Sequence, residues 1–567
     1  MSTSSSISAC LIVKNEEANL ARCLKSLSGA VDQIIVIDTG SSDRTVEVAQ
    51  EFGAEVGSFS WSDDFSAARN QALIRANGPW ILWIDADEEL TSDSAKVLRA
   101  ATRKRDIGGY NAEIVNFTAD GTDDQIYIHR AVRLFRKVSD CMFSGRIHEQ
   151  VTPSLQAAGL TWADLDDFKI LHHGYRPSAM IEKEKIDRTI SILTSELAEN
   201  PTDSFQWFNL ANAYTVAHRW ADAERAAAEC LRQGGAKEFN TLNFQFLITA
   251  LRSQAKFRQA LTICAEAKAS GCGGLLIDFE EALTYFEMGD AAAGLEPARA
   301  ACQATWPKGM TGDRSILDSK RWLVLAQICT ALCLFDEAES ALASAPQHPL
   351  SSLILANILE KKGASDQALE LYRLSALDAA TAKQALAGAG RCAMHLGLPR
   401  QAADYFGQAW ALEPSDYSLW TECVQAAELS GDLTLIQSSY ELYSTQMTPT
   451  AEILVNWGRS LESGGDFEKA LLLYSEAIAR NPQDANAHFN AGDLLYRIGQ
   501  FQDAAHIYQA ALKLTPLNAQ GWFVLGNSLA QCGIAEGAVI GYRQALILDP
   551  THQEAKHNLQ LVSGESA

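Results

Sequence analysis

Three copies of one pattern, spaced 34 residues apart near the carboxyl end, leave this chain few folds to choose from. With Ala451, Ala485 and Ala519 aligned as first positions, Gly458, Gly492 and Gly526 fall at the eighth position and Gly465, Gly499 and Gly533 at the fifteenth. Ala470, Ala504 and Ala538 follow, then Tyr474, Tyr508 and Tyr542, then Ala477, Ala511 and Ala545, and last Pro482, Pro516 and Pro550. A fixed period of this length marks units that bury their apolar faces only by stacking on one another. Small residues let two antiparallel helices touch, the aromatic fills the space beside them, and the proline stops the second helix. The expected structure is a solenoid of helix–turn–helix units.

The same phase extends backwards. The unit 417–450 has Trp420 and Gly431, the unit 383–416 has Gly390, Gly397, Ala402, Phe406, Ala409 and Pro414, and the unit 349–382 has Gly363, Ala368 and Tyr372. Weaker units follow the same logic around Trp207, Leu210, Ala211, Tyr214 and Ala223, and around Trp322, Ala326, Phe335 and Ala338. The pattern resembles the tetratricopeptide repeat. It predicts about ten helical hairpins over residues 178–560 and a short tail at 561–567.

The chain has 567 residues, 47% of them hydrophobic, with 47 Lys and Arg against 70 Asp and Glu, a net charge of −23. That balance argues against general binding to nucleic acid or to an anionic membrane. Twelve cysteines are scattered through apolar helical patterns without a C-x-x-C pair, which suggests neither a zinc ribbon nor a disulfide framework and fits a reducing, cytoplasmic setting. The apolar run Ile7 to Val13 is cut at once by Lys14, so neither a signal peptide nor a transmembrane segment is expected.

Residues 1–176 have a different texture. Buried-strand runs at Ile7 to Val13, Gln33 to Ile37 and Trp80 to Ile84 alternate with helical patterns at Glu16 to Leu27, Asp43 to Phe52 and Phe65 to Ala76. Such alternation predicts an α/β domain with a mainly parallel sheet. A helical stretch from Ser92 to Arg105 precedes two more strand candidates, Asn111 to Phe117 and Gln125 to Leu134.

In open α/β sheets, ligands gather outside the carboxyl ends of the strands. Here those ends read Lys14-Asn15-Glu16-Glu17, Asp38-Thr39-Gly40-Ser41-Ser42-Asp43 and Asp85-Ala86-Asp87-Glu88-Glu89. Asp85 and Asp87 at spacing two repel unless something offsets their charge, and a divalent cation does so; oxygen ligands favour Mg²⁺ or Mn²⁺. The alternative is an acidic helix start, with Asp87 to Glu89 stabilised by the helix dipole. Asp38 likewise suits either a ligand site or a simple turn, with Asp43 capping the next helix.

The ordered set ACLIVKNEE, IIVIDTGSSDRT, FSAARNQAL and WILWIDADEEL resembles the family-2 glycosyltransferases over about 176 residues. The resemblance implies a GT-A, Rossmann-like nucleotide-sugar-binding domain over 1–176, a nucleotide-diphosphate sugar donor, a divalent metal and inversion at the anomeric carbon. UDP is the nucleotide by family habit. It further implies that Val13, Lys14, Asn15, Glu16 and Asp38 hold the nucleoside, that Arg69 and Asn70 border the donor pocket, that Asp85 lies near the ribose and that Asp87 contacts the metal. His172 and His173 stand where a late metal or diphosphate ligand is expected, with His173 preferred. Inversion needs a base on the acceptor, and Glu149 in Ser144-Gly145-Arg146-Ile147-His148-Glu149 is the best local candidate. Arg133 and Arg136 either neutralise the diphosphate or line a solvated strand edge.

Little chain remains in the first part to build an acceptor pocket, so the concave face of the repeats is expected to recruit a protein or peptide acceptor. Two alternatives stand beside this reading. One is transfer to a lipid-linked or cell-surface glycan with the repeats recruiting partner proteins; the other is an inactive repeat adaptor.

Overall fold

The computed structural model describes residues 6–104, 107–117, 126–173, 179–235, 239–305, 311–345 and 348–564. The expected boundary between sheet domain and repeats, at 176–178, lies outside the described residues. The chain divides into two compact units, Met1–Ser351 and Ser352–Ala567.

The first unit opens with β1 (Ile7–Val13), α1 (Glu17–Ser26), β2 (Gln33–Asp38), α2 (Thr45–Glu51), β3 (Glu55–Ser58), α3 (Phe65–Arg75) and β4 (Trp80–Trp83). It continues with β5 (Glu88–Leu90), α4 (Ser92–Ala101), β6 (Gly109–Phe117), β7 (Ile126–Arg136), α5 (Thr152–Ala157) and β8 (Trp162–His172). The strands form one sheet in the order β3-β2-β1-β4-β7-β6-β8-β5. The first four are parallel, with Val13 level with Asp38 and Cys10 level with Trp83. β7 then runs antiparallel to β4 and to β6, so the sheet is mixed beyond β4. β6 and β7 follow each other in the chain and pair antiparallel, whereas parallel neighbours need a crossover between them.

Side-chain alternation on the central strands fills both faces of this sheet. Ile7, Ala9, Leu11, Val36, Trp80 and Leu82 pack with α1 and α4 residues such as Leu20, Leu24 and Leu98, all nearly or fully buried. Cys10, Ile35, Ile37 and Ile81 face the opposite way, toward Ala72 and Leu73 of α3 and Leu155 of α5. The acidic run after β4 is not a helix start: Glu88–Leu90 is strand β5, paired with β8 from Glu88↔His172 to Leu90↔Ile170. The helix-dipole reading of Asp87 to Glu89 is therefore set aside.

Helices that pack on their successors follow from α6 (Ala179–Glu199) and α7 (Ser204–Val216) to Phe335–Ala343 in the first unit. After the helix Ala291–Gln303 the chain returns to the sheet as β9 (Gly312–Asp313), which pairs antiparallel with Ile128 and Tyr127 of β7.

In the second unit the repeat pattern has a direct steric meaning. A Cβ added at Gly492 would stand 2.6 Å from the Tyr508 ring, and one at Gly458 equally close to Tyr474. The eighth position must be glycine because the aromatic of the same unit lies on it. The fifteenth position has another reason: Gly499 turns between helices at φ +82° with open space around it, a conformation that a Cβ penalises. No helix among the described residues is long and apolar enough to cross a membrane.

Candidate active site

Helix α3 organises the site. Asp64 caps it by accepting from Ala67 N at 2.9 Å, and three side chains from its first turns then reach out. Ser66 Oγ donates to the Gly145 carbonyl at 2.5 Å. Asn70 mimics a strand partner for residue 143, donating to Phe143 O at 3.1 Å and accepting from Phe143 N at 2.8 Å. Arg69, 94% buried, donates through Nη2 to Asp85 Oδ1 at 2.8 Å and through Nε to Glu149 Oε1. Burial alone would lower the guanidinium's proton affinity; the Asp85 and Glu149 charges raise it well above its usual range.

Asp85 is held by a second arginine. Arg133 Nη1 lies 3.8 Å from Asp85 Oδ2 and 3.0 Å from Glu88 Oε2, while Nη2 donates to Glu88 Oε1 at 2.7 Å. Both guanidinium groups lie over the Trp83 ring, Arg133 at 3.5 Å and Arg69 at 4.1 Å from its centre. Stacking and ion pairing together keep two cations in a nearly dry site. The side chains of Arg69, Arg133 and Glu88 are 7%, 4% and 1% exposed, against 33% for Asp85. Asp85 is thus the member of the cluster that faces solvent. Burial pushes its carboxyl up, and Arg69 and then Arg133 overcome this and hold it well below the usual carboxylate range.

Asp87 belongs to a separate chain of contacts. His172 Nε2 lies 3.2 Å from Asp87 Oδ2, and His172 Nδ1 lies 2.7 Å from Asn116 Oδ1. The other end of the Asn116 amide meets His129 Nδ1 at 3.1 Å. Burial, followed by the charge of Arg133, pushes His129 down to about 3, so its ring is neutral and accepts from Asn116 Nδ2. Asn116 Oδ1 then accepts from His172 Nδ1, which turns the Nε2 atom toward Asp87. Burial lowers the His172 value, and the hydrogen bond and charge of Asp87 more than reverse this. His173 faces elsewhere: its Nε2 lies 3.2 Å from Glu89 Oε2, although its backbone N–H donates to Asp87 O at 3.0 Å. Of the two histidines, His172 is the one whose ring is turned to Asp87.

The other two strand ends meet on the same edge of the sheet, because β1, β2 and β4 are parallel. Thr39 N donates to the Val13 carbonyl at 2.9 Å. Asn15 takes φ +56° and accepts from Ser42 N at 2.8 Å, and Glu16 N donates to Thr45 Oγ1 at 2.7 Å. Asp38 accepts from Ser41 N at 3.1 Å and Gly40 N at 3.2 Å, the turn its sequence suggested. Asp43 does not cap α2, whose N-cap is Arg44; it accepts from Thr45 N at 3.1 Å and Glu17 N at 3.1 Å. Lys14 is exposed.

The fold therefore brings Arg69, Asp85, Arg133 and Glu149 into one contact network. Asp87 and His172 stand at the head of β5 and the end of β8, and residues 13–16 and 38 lie on the shared strand edge. Arg136 is not part of this. It pairs with Trp80 at the opposite end of β4, stacks on that ring at 4.7 Å and donates to the Ile107 and Lys104 carbonyls. Asn70 acts on the Phe143 backbone. Three contributors were not read from the sequence. Glu88 could have been, as an acid flanked at strand spacing by the apolar residues Ala86 and Leu90. Asn116 and Trp83 carry no local signal, because their roles depend on which strands become neighbours.

The sequence profile named Glycosyl transferase family 2 matches residues 8–150, and the Tetratricopeptide repeat profile matches residues 455–505 and 490–552. A TPR repeat-containing protein of Synechococcus elongatus is 35% identical over 236 residues, 40% of this chain and 57% of that protein. The SPbeta prophage-derived glycosyltransferase SunS of Bacillus subtilis is 29% identical over 199 residues, 35% of this chain and 46% of SunS. An uncharacterized glycosyltransferase of Rickettsia felis is 41% identical over 87 residues, 15% of this chain and 30% of that protein. The chain thus spans about half the length of the first curated relatives it matches. The matched stretch includes the strand ends that carry the acids: residues 8–150 are a glycosyl transferase family 2 domain, followed in the same polypeptide by tetratricopeptide repeats at 455–552.

Proposed function

We propose that this chain is a metal-dependent inverting glycosyltransferase that moves a sugar from a nucleotide-diphosphate donor, a UDP-sugar, to a protein or peptide acceptor recruited by its repeats. The observation that carries the reading is the union of Asp85 and Glu149 through Arg69 on the edge where three parallel strands end. Ligand chemistry on such sheets occurs there.

Among the described residues no group of three or more His, Cys, Asp and Glu side chains could hold a metal ion by itself, so the protein would supply two ligands to a divalent cation and the donor the rest. Asp87 Oδ2 and His172 Nε2 converge, and Asn116 fixes the histidine in the orientation a ligand needs. Two protein ligands suffice for Mg²⁺ or Mn²⁺ when diphosphate oxygens and water complete the shell. Bound there, the cation would stabilise the negative charge of the departing diphosphate.

This chain's own residues do the rest. Asp85, ionised and facing solvent, accepts hydrogen bonds from the donor's ribose hydroxyls. Arg133 and Arg69 keep it charged and in place. Glu149 takes the acceptor proton as its oxygen attacks the anomeric carbon from the face opposite the leaving group. The tetratricopeptide repeats support a protein or peptide acceptor, since solenoid repeats present extended surfaces to polypeptides.

Thermal-shift screening of UDP-sugars with and without Mn²⁺ tests the donor, because a ligand of the native state raises its melting point. The reading expects a Mn²⁺-dependent shift that Asp87→Ala abolishes, and radiolabelled sugar in protein extracts. Label confined to lipid extracts would move the acceptor to a lipid-linked glycan. Donor hydrolysis equal in parent and Asp87→Ala would count against the metal.

A further inference from the structure

The loop that carries Glu149 is short and closed on itself. Ser144 N donates to Gln150 O at 3.0 Å and Gln150 N to Ser144 O at 2.9 Å. Between them Gly145 and His148 take left-handed backbone at φ +94° and +52°. A non-glycine residue persists there only when its surroundings fix it.

Part of that fixing comes from α3, as Phe65 N donates to Arg146 O at 2.8 Å and Ser66 Oγ holds the Gly145 carbonyl. The rest comes from the first two helices after the sheet domain. Glu196 on α6 accepts the Arg146 N–H at 2.6 Å, and Glu199 pairs with the Arg146 guanidinium at 2.9 Å. Gln206 on α7, itself held by Asn209 at 3.0 Å, places its Nε2 atom 3.6 Å from where a Gly145 Cβ would stand. Residue 146 is therefore gripped through its N–H and its carbonyl by two different helices.

A carboxylate is a costly group for this task. Glu196 is half-buried, and its Oε2 meets no hydrogen-bond partner among the described residues. Burial pushes its carboxyl up, with Asp203 and Asp64 adding to this against the pull of Arg146. What offsets the cost is one short, charge-assisted bond to a loop amide. The helices also reach the sheet at a second place, where β9 extends β7: Asp313, Tyr127, Asn116 and His172 stand in one row across four strands.

The geometry points to Glu196 as a positioning residue for Glu149: the first helix of the array holds the 144–150 loop so that Glu149 stays on Arg69 beside Asp85. This rests on the reading of Glu149 as the acceptor's base. It makes the start of the helical array a working part of the active site, beyond any role in recruiting an acceptor.

The test uses the full chain with Glu196→Ala, which removes the hydrogen-bond acceptor, and Glu196→Gln, which keeps one. Glu199→Ala, stripping an exposed ion pair, is the control. Two quantities are read: hydrogen–deuterium exchange of the peptide covering 144–150, and UDP release from UDP-glucose and UDP-N-acetylglucosamine with Mn²⁺, water serving as acceptor. In Glu196→Ala, loop exchange rises by about tenfold or more and kcat falls by about ten- to a hundredfold at unchanged donor KM, the scale of a displaced catalytic group. Glu196→Gln and Glu199→Ala stay parental in both. Unchanged loop exchange in Glu196→Ala overturns the proposal by itself, and so does an equal loss in Glu196→Gln. Glu149→Gln separates the two readings. If it retains parental UDP release, the base assignment fails; if it loses release while Glu196→Ala keeps turnover on a loosened loop, the positioning role fails.

Discussion

Arg133 and Glu88 form a two-pronged ion pair, 3.0 Å and 2.7 Å long, with 4% and 1% of their side chains exposed. A pair this deeply buried is dangerous to halve: burial already pushes the Glu88 carboxyl up to about 7, and without Arg133 it must either hold a charge in a dry site on the Asp85 N–H alone or take up a proton. Arg133→Leu is expected to cost about 3–5 kcal/mol of unfolding free energy, while the double change Arg133→Leu with Glu88→Leu recovers most of it. Urea unfolding of the full chain measures both. A single change costing under about 1 kcal/mol would mean that the lone Glu88 carboxyl is relieved by a proton or by solvent, and repeating the measurement at higher pH, where protonation costs more, separates the two.

Asn116 stands behind His172 and reaches no ligand in the proposed site, so its effect on metal binding is indirect. Asn116→Ala is expected to weaken Mn²⁺ binding in the presence of UDP by about 10- to 100-fold, the usual range when the hydrogen-bond support of a metal-binding histidine is lost. Calorimetric titration reads this. His172→Ala should weaken binding at least as much, and His173→Ala by no more than about twofold. The reverse order for the two histidines would move the site to the Glu89 side.

The repeat glycines should respond differently to the same substitution. Gly492→Ala adds a methyl group 2.6 Å from the Tyr508 ring, and overpacking of this kind costs about 1–3 kcal/mol. Gly499→Ala meets open space but a left-handed backbone, at about 1–2 kcal/mol. Thermal unfolding of each variant gives the values, and a structure of Gly492→Ala should show the Tyr508 ring displaced while Gly499→Ala leaves its neighbours unmoved.

Stability in acid is predicted from Glu360. Burial pushes its carboxyl up, but hydrogen bonds from Arg391, with Nε–Oε1 at 2.8 Å, and from Tyr372 bring it below its ordinary value. A carboxyl depressed in the folded state contributes stability above its unfolded value, and that contribution disappears as pH falls through the folded value. The parent should therefore lose stability progressively on acidification below the ordinary Glu range. Glu360→Gln should be less stable at neutral pH and show a shallower decline. Identical pH profiles of unfolding free energy for the two proteins would rule out the contribution.

Legibility in the sequence followed the range of the interactions. Strands β1, β2 and β4 and helices α1, α3 and α4 were expected within a few residues of where they lie, because alternation and helical periodicity act between near neighbours. β5 is not legible as a strand, since three residues with two acids carry too little pattern and form a strand only because β8 pairs with them. Asp85, Asp87, Arg69 and Glu149 were legible as motif residues. Their connection was not, and neither was the choice of His172 over His173, which turns on an asparagine 56 residues away.

The 34-residue period, the glycines under tyrosine rings and the carboxylates at strand ends were all present in the order of residues, because each depends on spacing along one or two elements. Only the fold decided that one arginine would join Asp85 to Glu149, that Arg136 would leave for the far end of β4, and that Glu196 would hold the loop. Those outcomes depend on the crossing of distant segments and on the exclusion of water between them. Burial makes a charge seek a partner, and which partner is within reach is fixed by packing rather than by spacing in the chain.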